Sequence, residues 1–223
     1  MGDDGVILNT ADGGTNWINQ NSNTIEDLTD VSFVNMNVGY ISTWEGYNDI
    51  DILKTIDGGK TWTFINNILY DSFSSIHFID ENTGWVSVDY SAGYINYTND
   101  GGKTWSMHGC HRFNADSIYF TDKDNGWAVG SAYNSGSFIA HTTTNGTTWE
   151  YQINETSLPF NSVFFLDDNK GYIAGGNIFS SNVEASNLVI KTDDRGKNFS
   201  KIIDEPGYGA KSVFFMIQCM VGF

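Results

Sequence analysis

The sequence predicts an all-β chain, a β-propeller made of four-stranded antiparallel blades. Three observations carry that expectation. A phrase of a Thr, a Gly-bearing tight turn and an aromatic residue returns five times, ending at Trp17, Trp62, Trp105, Trp149 and Phe199. The steps between these aromatics are 45, 43, 44 and 50 residues, a period that marks a stack of like units burying their apolar faces against one another. Between the phrases, apolar residues alternate with a period of about 2, and the period of about 3.6 that a helix needs is absent.

Each unit offers four short strands. Upstream of the turn stands an apolar strand, as in Ile52-Leu53-Lys54-Thr55 or Leu188-Val189-Ile190-Lys191-Thr192. Downstream, the aromatic opens another, as in Trp62-Thr63-Phe64-Ile65. The two pair as a hairpin across the Asp-Gly-Gly turn, where glycine takes the positive φ and the Asp side chain caps loop N–H groups. Next come Val31-Ser32-Phe33, Ile76-His77-Phe78, Ile118-Tyr119-Phe120, Val163-Phe164-Phe165 and Val213-Phe214-Phe215. A polar turn and a Gly-aromatic step follow in four of them: Gly39-Tyr40, Gly84-Trp85, Gly126-Trp127 and Gly171-Tyr172. Four antiparallel strands per unit make a propeller blade.

This pattern assigns structure to residues that otherwise resemble an active site. Asp12, Asp57, Asp100 and Asp194 recur inside turns and are read as turn braces. Trp17, Trp62, Trp85, Trp105, Trp127 and Trp149, with Phe199 in the fifth phrase, are read as packing between blades.

One domain over 1–223 is expected, with repeats at roughly 1–27, 28–72, 73–115, 116–159 and 160–211, and a further unit starting at 212–223. Two arrangements satisfy this: a closed five-bladed ring completed by both chain ends, or a fragment of a larger propeller. The stretch Met216-Ile217-Gln218-Cys219-Met220-Val221-Gly222-Phe223 lacks the expected polar turn. Read one base out of frame, it permits Asp, Gly and Trp where the other units have them, which points to a frameshift near codon 216.

Composition narrows the partners. Eleven Lys+Arg against 27 Asp+Glu leave a formal charge of −16, a field that repels nucleic acid and anionic membrane surfaces. No apolar run approaches the roughly 18–20 residues of a spanning helix, so membrane insertion is not expected. The two cysteines, Cys110 and Cys219, form no disulfide framework and no zinc spacing. No cofactor or metal is implied, and a monomer is expected.

The consensus Ser/Thr-x-Asp-x-Gly-x-Thr-Trp resembles the Asp-box, or bacterial neuraminidase repeat. The phrases at 55–62 and 98–105 match it in full, whereas Asn16, Thr144, Asn198 and Phe199 depart from it. Over residues 5–215 the chain resembles propellers related to the photosystem II stability/assembly factor. That resemblance implies a bladed propeller, seven-bladed in the family, that binds rather than catalyses. The basic patch associated with that factor is not matched by a charge of −16. Asp-boxes also occur in sialidases, xyloglucan-type glycoside hydrolases and sortilin-like receptors. A sialidase clamps its substrate carboxylate with three arginines, and this chain has only Arg112 and Arg195. A two-carboxylate glycosidase is not singled out by the spacing of Glu45, Asp49, Asp51, Asp71, Asp89, Asp116, Glu150 or Glu155.

Function is therefore expected in the variable loops at 42–51, 88–93, 131–136 and 174–187, on the rim opposite the turn phrases. Trp44 is the one tryptophan off the repeat, and with Glu45, Tyr47 and Asp49 it forms an aromatic, acidic loop suited to a sugar or peptide. Tyr90, Tyr94, Tyr133 and Phe179 fall in comparable loops. His108, His111 and Arg112, around Cys110, form a second candidate in a crossover; with no fourth ligand nearby, they are not read as a metal centre. No catalytic residue is assigned. The leading expectation is a non-catalytic scaffold binding protein or glycan, located extracellularly, in a periplasm or on a cell surface. The alternative is a fragment of a glycoside hydrolase.

Overall fold

The computed structural model describes residues 1–44, 52–65, 72–89, 93–109, 113–132, 136–153, 158–176, 186–207 and 209–214. A short 3₁₀ turn at Asp3–Gly5 leads into the first blade, formed by β1 (Ile7–Asn9) and β2 (Ile18–Gln20). The second blade is β3 (Asp27–Phe33), β4 (Gly39–Trp44), β5 (Ile52–Thr55) and β6 (Thr63–Ile65). The third is β7 (Ser72–Phe78), β8 (Gly84–Asp89), β9 (Tyr94–Thr98) and β10 (Ser106–Gly109). The fourth is β11 (Phe113–Phe120), β12 (Gly126–Ala132), β13 (Gly136–Thr142) and β14 (Glu150–Ile153). The fifth is β15 (Phe160–Phe165), β16 (Gly171–Gly175), β17 (Ser186–Thr192) and β18 (Ser200–Pro206). Blades two to five are antiparallel meanders in chain order. Among the described residues β1 and β2 pair only with each other.

The Gly-aromatic step has a steric cause. The Phe ending each first strand is the register partner of the Gly opening the second: Phe33 with Gly39, Phe78 with Gly84, Phe120 with Gly126, Phe165 with Gly171. A Cβ on Gly39 would lie 2.6 Å from the Phe33 ring, and one on Gly84 2.5 Å from the Phe78 ring. The aromatic after that glycine then stacks on the Phe of the next blade. Ring centroids are 3.5 Å apart for Tyr40 on Phe78, 3.6 Å for Trp85 on Phe120 and 3.6 Å for Trp127 on Phe165. The turn-phrase tryptophan meets its own blade's Phe edge-on, at 6.1 Å for Trp62–Phe33 and Trp105–Phe78 and 6.0 Å for Trp149–Phe120. Such pairs add about 0.5–1.5 kcal/mol each beyond their buried area.

Further contacts bind the seams at two places. Each first strand carries a bulge, before Asp30, Ser75, Ser117 and Ser162. The side-chain oxygen there accepts a backbone N–H from the following blade: Ile76 to Asp30 at 3.0 Å, Ile118 to Ser75 at 3.3 Å, Val163 to Ser117 at 3.2 Å and Val213 to Ser162 at 3.2 Å. The fourth strand makes the other contact. Gln20, Ile65, His108 and Gln152 share one register position, opposite Ile7, Ile52, Ile95 and Ile139. Each reaches the glycine that ends the tight turn of the next phrase, at Gly59, Gly102, Gly146 and Gly196 respectively.

Trp17 departs from the other turn-phrase tryptophans. It is exposed, while Trp62 is buried among Ile7, Leu28, Ile41 and Leu53. The cause is positional: Trp62 has the first blade against it, and among the described residues no blade precedes β1.

Candidate functional site

The turn phrases are closed hydrogen-bonded units. In the second blade, the Thr55 hydroxyl donates to Asp57 Oδ1 at 2.8 Å and accepts the Gly59 N–H at 2.8 Å. Asp57 in turn accepts the Thr61 N–H at 2.9 Å and the Thr61 hydroxyl at 2.7 Å. Thr98, Asp100, Gly102 and Thr104 repeat this geometry. In the outer copies, Asn16 and Asn198 side-chain amides replace the second hydroxyl, donating to Asp12 and Asp194 at 2.6 and 2.7 Å. The Thr61 and Thr104 hydroxyls and amides hold the carboxyls of Asp57 and Asp100 down at about 2. Carboxylates so engaged are poor proton carriers at neutral pH.

Two consecutive left-handed residues make the turn. They are Gly58 and Gly59 (φ 73° and 85°) in the second blade, but Asn145 and Gly146 in the fourth and Arg195 and Gly196 in the fifth. The first N–H of each pair bonds the loop between strands one and two of its own blade, as Gly58 does to Asn37 O at 2.9 Å. The turn phrases and those loops therefore share one rim.

Trp44 lies on the opposite rim. It closes β4, pairs across the strand with Asp27 and is 51% exposed. The Asp27 carboxylate accepts the Asp4 N–H at 3.0 Å. An indole face beside a carboxylate can stack on a sugar or a planar side chain and accept its hydroxyl or amide hydrogens. Glu45, Tyr47, Asp49, Tyr90, Tyr133, Phe179, His111 and Arg112 lie outside the described residues.

Two of the remaining candidates sit differently from the sequence expectation. Tyr94 is not in a loop: it opens β9, pairs with Gly109 and packs half-buried against the core around Phe73, Ile76 and Val88. His108 is not in a crossover: it lies in β10, stacked on Tyr97 at 5.1 Å. Its Nδ1 donates to Asn145 O at 2.8 Å, and its Nε2 lies 3.3 Å from the Ser106 hydroxyl. Its ring is thereby committed to the seam with the fourth blade. Asn145 is the acceptor there, taking the Trp85 indole N–H on its side-chain oxygen at 3.1 Å.

Sequence reasoning passed over Asp30. Burial raises its carboxyl above the ordinary value, against the hydrogen bonds from Ile76 N–H, Ser75 hydroxyl and Val31 N–H. The signal was present: aligning the first strands sets Asp30 against Ser75, Ser117 and Ser162. Among the described residues an open cleft of about 390 Å³ lies on the turn-phrase rim, between Tyr119–Thr121 and Phe165–Asn169.

No protein-family model matches the sequence, and no curated protein matches it. Solved structures do. YCF48 bound to D1 peptide superposes with a TM-score of 0.59 at 18% identity, covering 90% of this chain and 75% of that one. YCF48 from Cyanidioschyzon merolae gives 0.60 at 17% identity, covering 92% and 81%. The Niastella koreensis GH74 enzyme gives 0.71 at 15% identity, covering 91% of this chain and 34% of that one. Likeness at this level of identity is a likeness of fold, and the fold it shares with them is that of antiparallel β-propeller blades.

Proposed function

We propose that this chain is a non-catalytic propeller scaffold that binds a protein or glycan ligand through the rim opposite its turn phrases, outside the cytoplasm. The observation that carries this reading is Trp44, half-exposed at the open end of β4 beside Asp27. Exposed tryptophans are enriched where affinity concentrates. The engagement of every oxygen of Asp57 and Asp100 within its own turn supports a scaffold over a catalyst. A fold neighbour with bound peptide, YCF48 with the D1 peptide, supports a propeller of this kind as a peptide holder. The Asp-box resemblance and the paucity of Lys favour an exported or surface location.

Peptide and glycan arrays probed with the wild type and with Trp44→Ala test the reading. Binding by the wild type that Trp44→Ala abolishes is expected. Binding that Trp44→Ala leaves intact, or none on either array, overturns it. The second reading, a glycoside hydrolase fragment, is favoured by the fold likeness to GH74 enzymes, including the Xanthomonas campestris xyloglucanase. Release of reducing ends from xyloglucan by the protein would put it in place of the first.

A further inference from the structure

One hydroxyl breaks the repeat at the cleft between the fourth and fifth blades. The residue after each first-strand Phe opens the turn to the second strand. Its N–H bonds the carbonyl four residues on: Val34 to Val38, Ile79 to Thr83, Thr121 to Asn125 and Leu166 to Lys170. Three of these four residues are aliphatic. Val34 and Ile79 pack against the apolar seams that follow their blades. Thr121 puts a hydroxyl there, and its Oγ1 is buried with no hydrogen-bond partner. The same turn forms in the other blades without that oxygen, and an unpaired buried hydroxyl weakens a fold. Two further buried atoms of this seam lack partners, Trp127 Nε1 and His141 Nε2. In the preceding seam the equivalent Trp85 Nε1 bonds Asn145 Oδ1 at 3.1 Å. Arg195 stands at the Asn145 position and turns its Nε to Asn169 Oδ1 at 3.3 Å.

Thr121 lines the cleft of about 390 Å³ together with Tyr119, Leu166, Asp167, Asp168 and Asn169. The cleft lies between two adjoining blades, so neither end of the array creates it. Its volume falls in the ~300–1,000 Å³ range of small-ligand pockets. Thr121 is only half-buried, so rotation about its χ1 brings the hydroxyl to the cleft wall. Asp167 uses Oδ1 for the N–H groups of Asn169 and Lys170, at 2.8 and 2.9 Å, and Oδ2 makes no bond within the turn. The Lys170 charge faces Asp167, and the Arg195 guanidinium lies 3.8 Å from Asp168. These four charges balance, so the lining does not select an ion. What it offers is carboxylate acceptors beside two hydroxyls that donate or accept. A neutral ligand dense in hydroxyl groups matches that set.

We propose that this cleft is a second binding site, for a mono- or disaccharide unit of a neutral glycan, with one sugar hydroxyl on Thr121 Oγ1 and others on the carboxylates of Asp167 and Asp168. The site is independent of Trp44, which stands on the opposite rim.

Titration of the isotope-labelled whole chain with methyl β-glucoside, methyl α-mannoside, methyl β-galactoside and cellobiose, up to tens of millimolar, tests it by chemical-shift mapping. At least one sugar is expected to move the Thr121 and Asn169 amide resonances saturably. The Trp44 indole resonance reports the other rim separately, so the two sites can fail independently. Methylammonium chloride is expected to leave the Thr121 and Asn169 resonances in place. Thr121→Val, which restores the aliphatic character of the other blades, is expected to weaken sugar binding about tenfold, the loss of one hydrogen bond. Its urea midpoint is expected at or above that of the wild type, because the unpaired hydroxyl is gone. No saturable shift with any of the sugars, shifts confined to Trp44, comparable shifts from methylammonium, binding that Thr121→Val leaves unchanged, or a lowered midpoint overturns the proposal.

Discussion

The carboxylate of Asp30 and the hydroxyl of Ser75 meet at 2.7 Å across the seam between the second and third blades. The other seams place a serine where Asp30 stands. Burial raises the Asp30 carboxyl above its ordinary value, so the folded chain holds that proton more firmly than the open chain does. Stability therefore falls as pH climbs from the unfolded value of 3.8 through the raised folded value. Asp30→Ser keeps an oxygen for the Ile76 N–H and removes the charge. It is expected to raise the urea midpoint at neutral pH, and that gain is expected to shrink on acidification toward the unfolded value. A pH series of urea melts on both proteins checks this.

His77 has the opposite dependence. Its Nε2 faces Phe120 O at 3.0 Å and so donates, and burial holds the ring down at about 4 against an ordinary 6.5. A base that resists protonation in the fold stabilises it fully above 6.5, and that contribution is lost as pH falls toward about 4. His77→Gln can keep the donor without the titration. Its stability deficit relative to the wild type is expected to narrow across that window. Proton NMR of the wild-type imidazole is expected to show no titration near 6.5.

Gly84→Ala puts a Cβ into the Phe78 ring, which is already stacked on Tyr40. Overpacking of this kind costs about 1–3 kcal/mol. Chemical denaturation is expected to show a loss in that range. Phe78→Leu is expected to cost less in the Gly84→Ala background than in the wild type, because the smaller side chain relieves the clash.

Thr144 occupies the brace position of the fourth turn phrase, and its hydroxyl takes the Thr148 N–H at 2.9 Å and pairs with the Thr148 hydroxyl at 2.7 Å. Thr144→Asp would restore a two-oxygen acceptor like Asp57. The variant is expected to melt higher than the wild type at neutral pH. Since Asp57 is held at about 2 from 3.8, the gain is expected to be complete above the ordinary value and to vanish as pH falls toward about 2. Thermal melts at neutral and strongly acid pH measure it.

Strands and blade count per turn phrase were legible because turn chemistry and alternation are local. The first strands lie at Val31–Phe33, Ile76–Phe78, Ile118–Phe120 and Val163–Phe165, where the alternation puts them. His108 was misplaced because its neighbours Gly109 and Cys110 looked like a loop. The alignment of Trp105-Ser106-Met107-His108 with Trp62-Thr63-Phe64-Ile65 already held the strand. The spacing of Phe78 to Gly84, kept in four units, carried the steric pairing of ring and glycine unrecognised. What no local pattern could supply was cover. Trp17 and Trp62 stand in like phrases and differ only in what packs against them. Trp44 lay within reach of sequence because it alone breaks the repeat; which neighbours share its rim depends on loops whose composition follows no period.

The seams from the second blade to the fifth point one way: the leading blade offers an acceptor oxygen and a fourth-strand side chain forward, and the next offers an N–H and a glycine backward. A copied unit inserted between any two blades would carry one half of each new seam itself and find the other half waiting. Lengthening by tandem duplication then asks for no compensating substitution at the join. An array of this kind can grow or shrink by whole units through unequal recombination, while the loops between second and third strands diverge freely from one copy to the next.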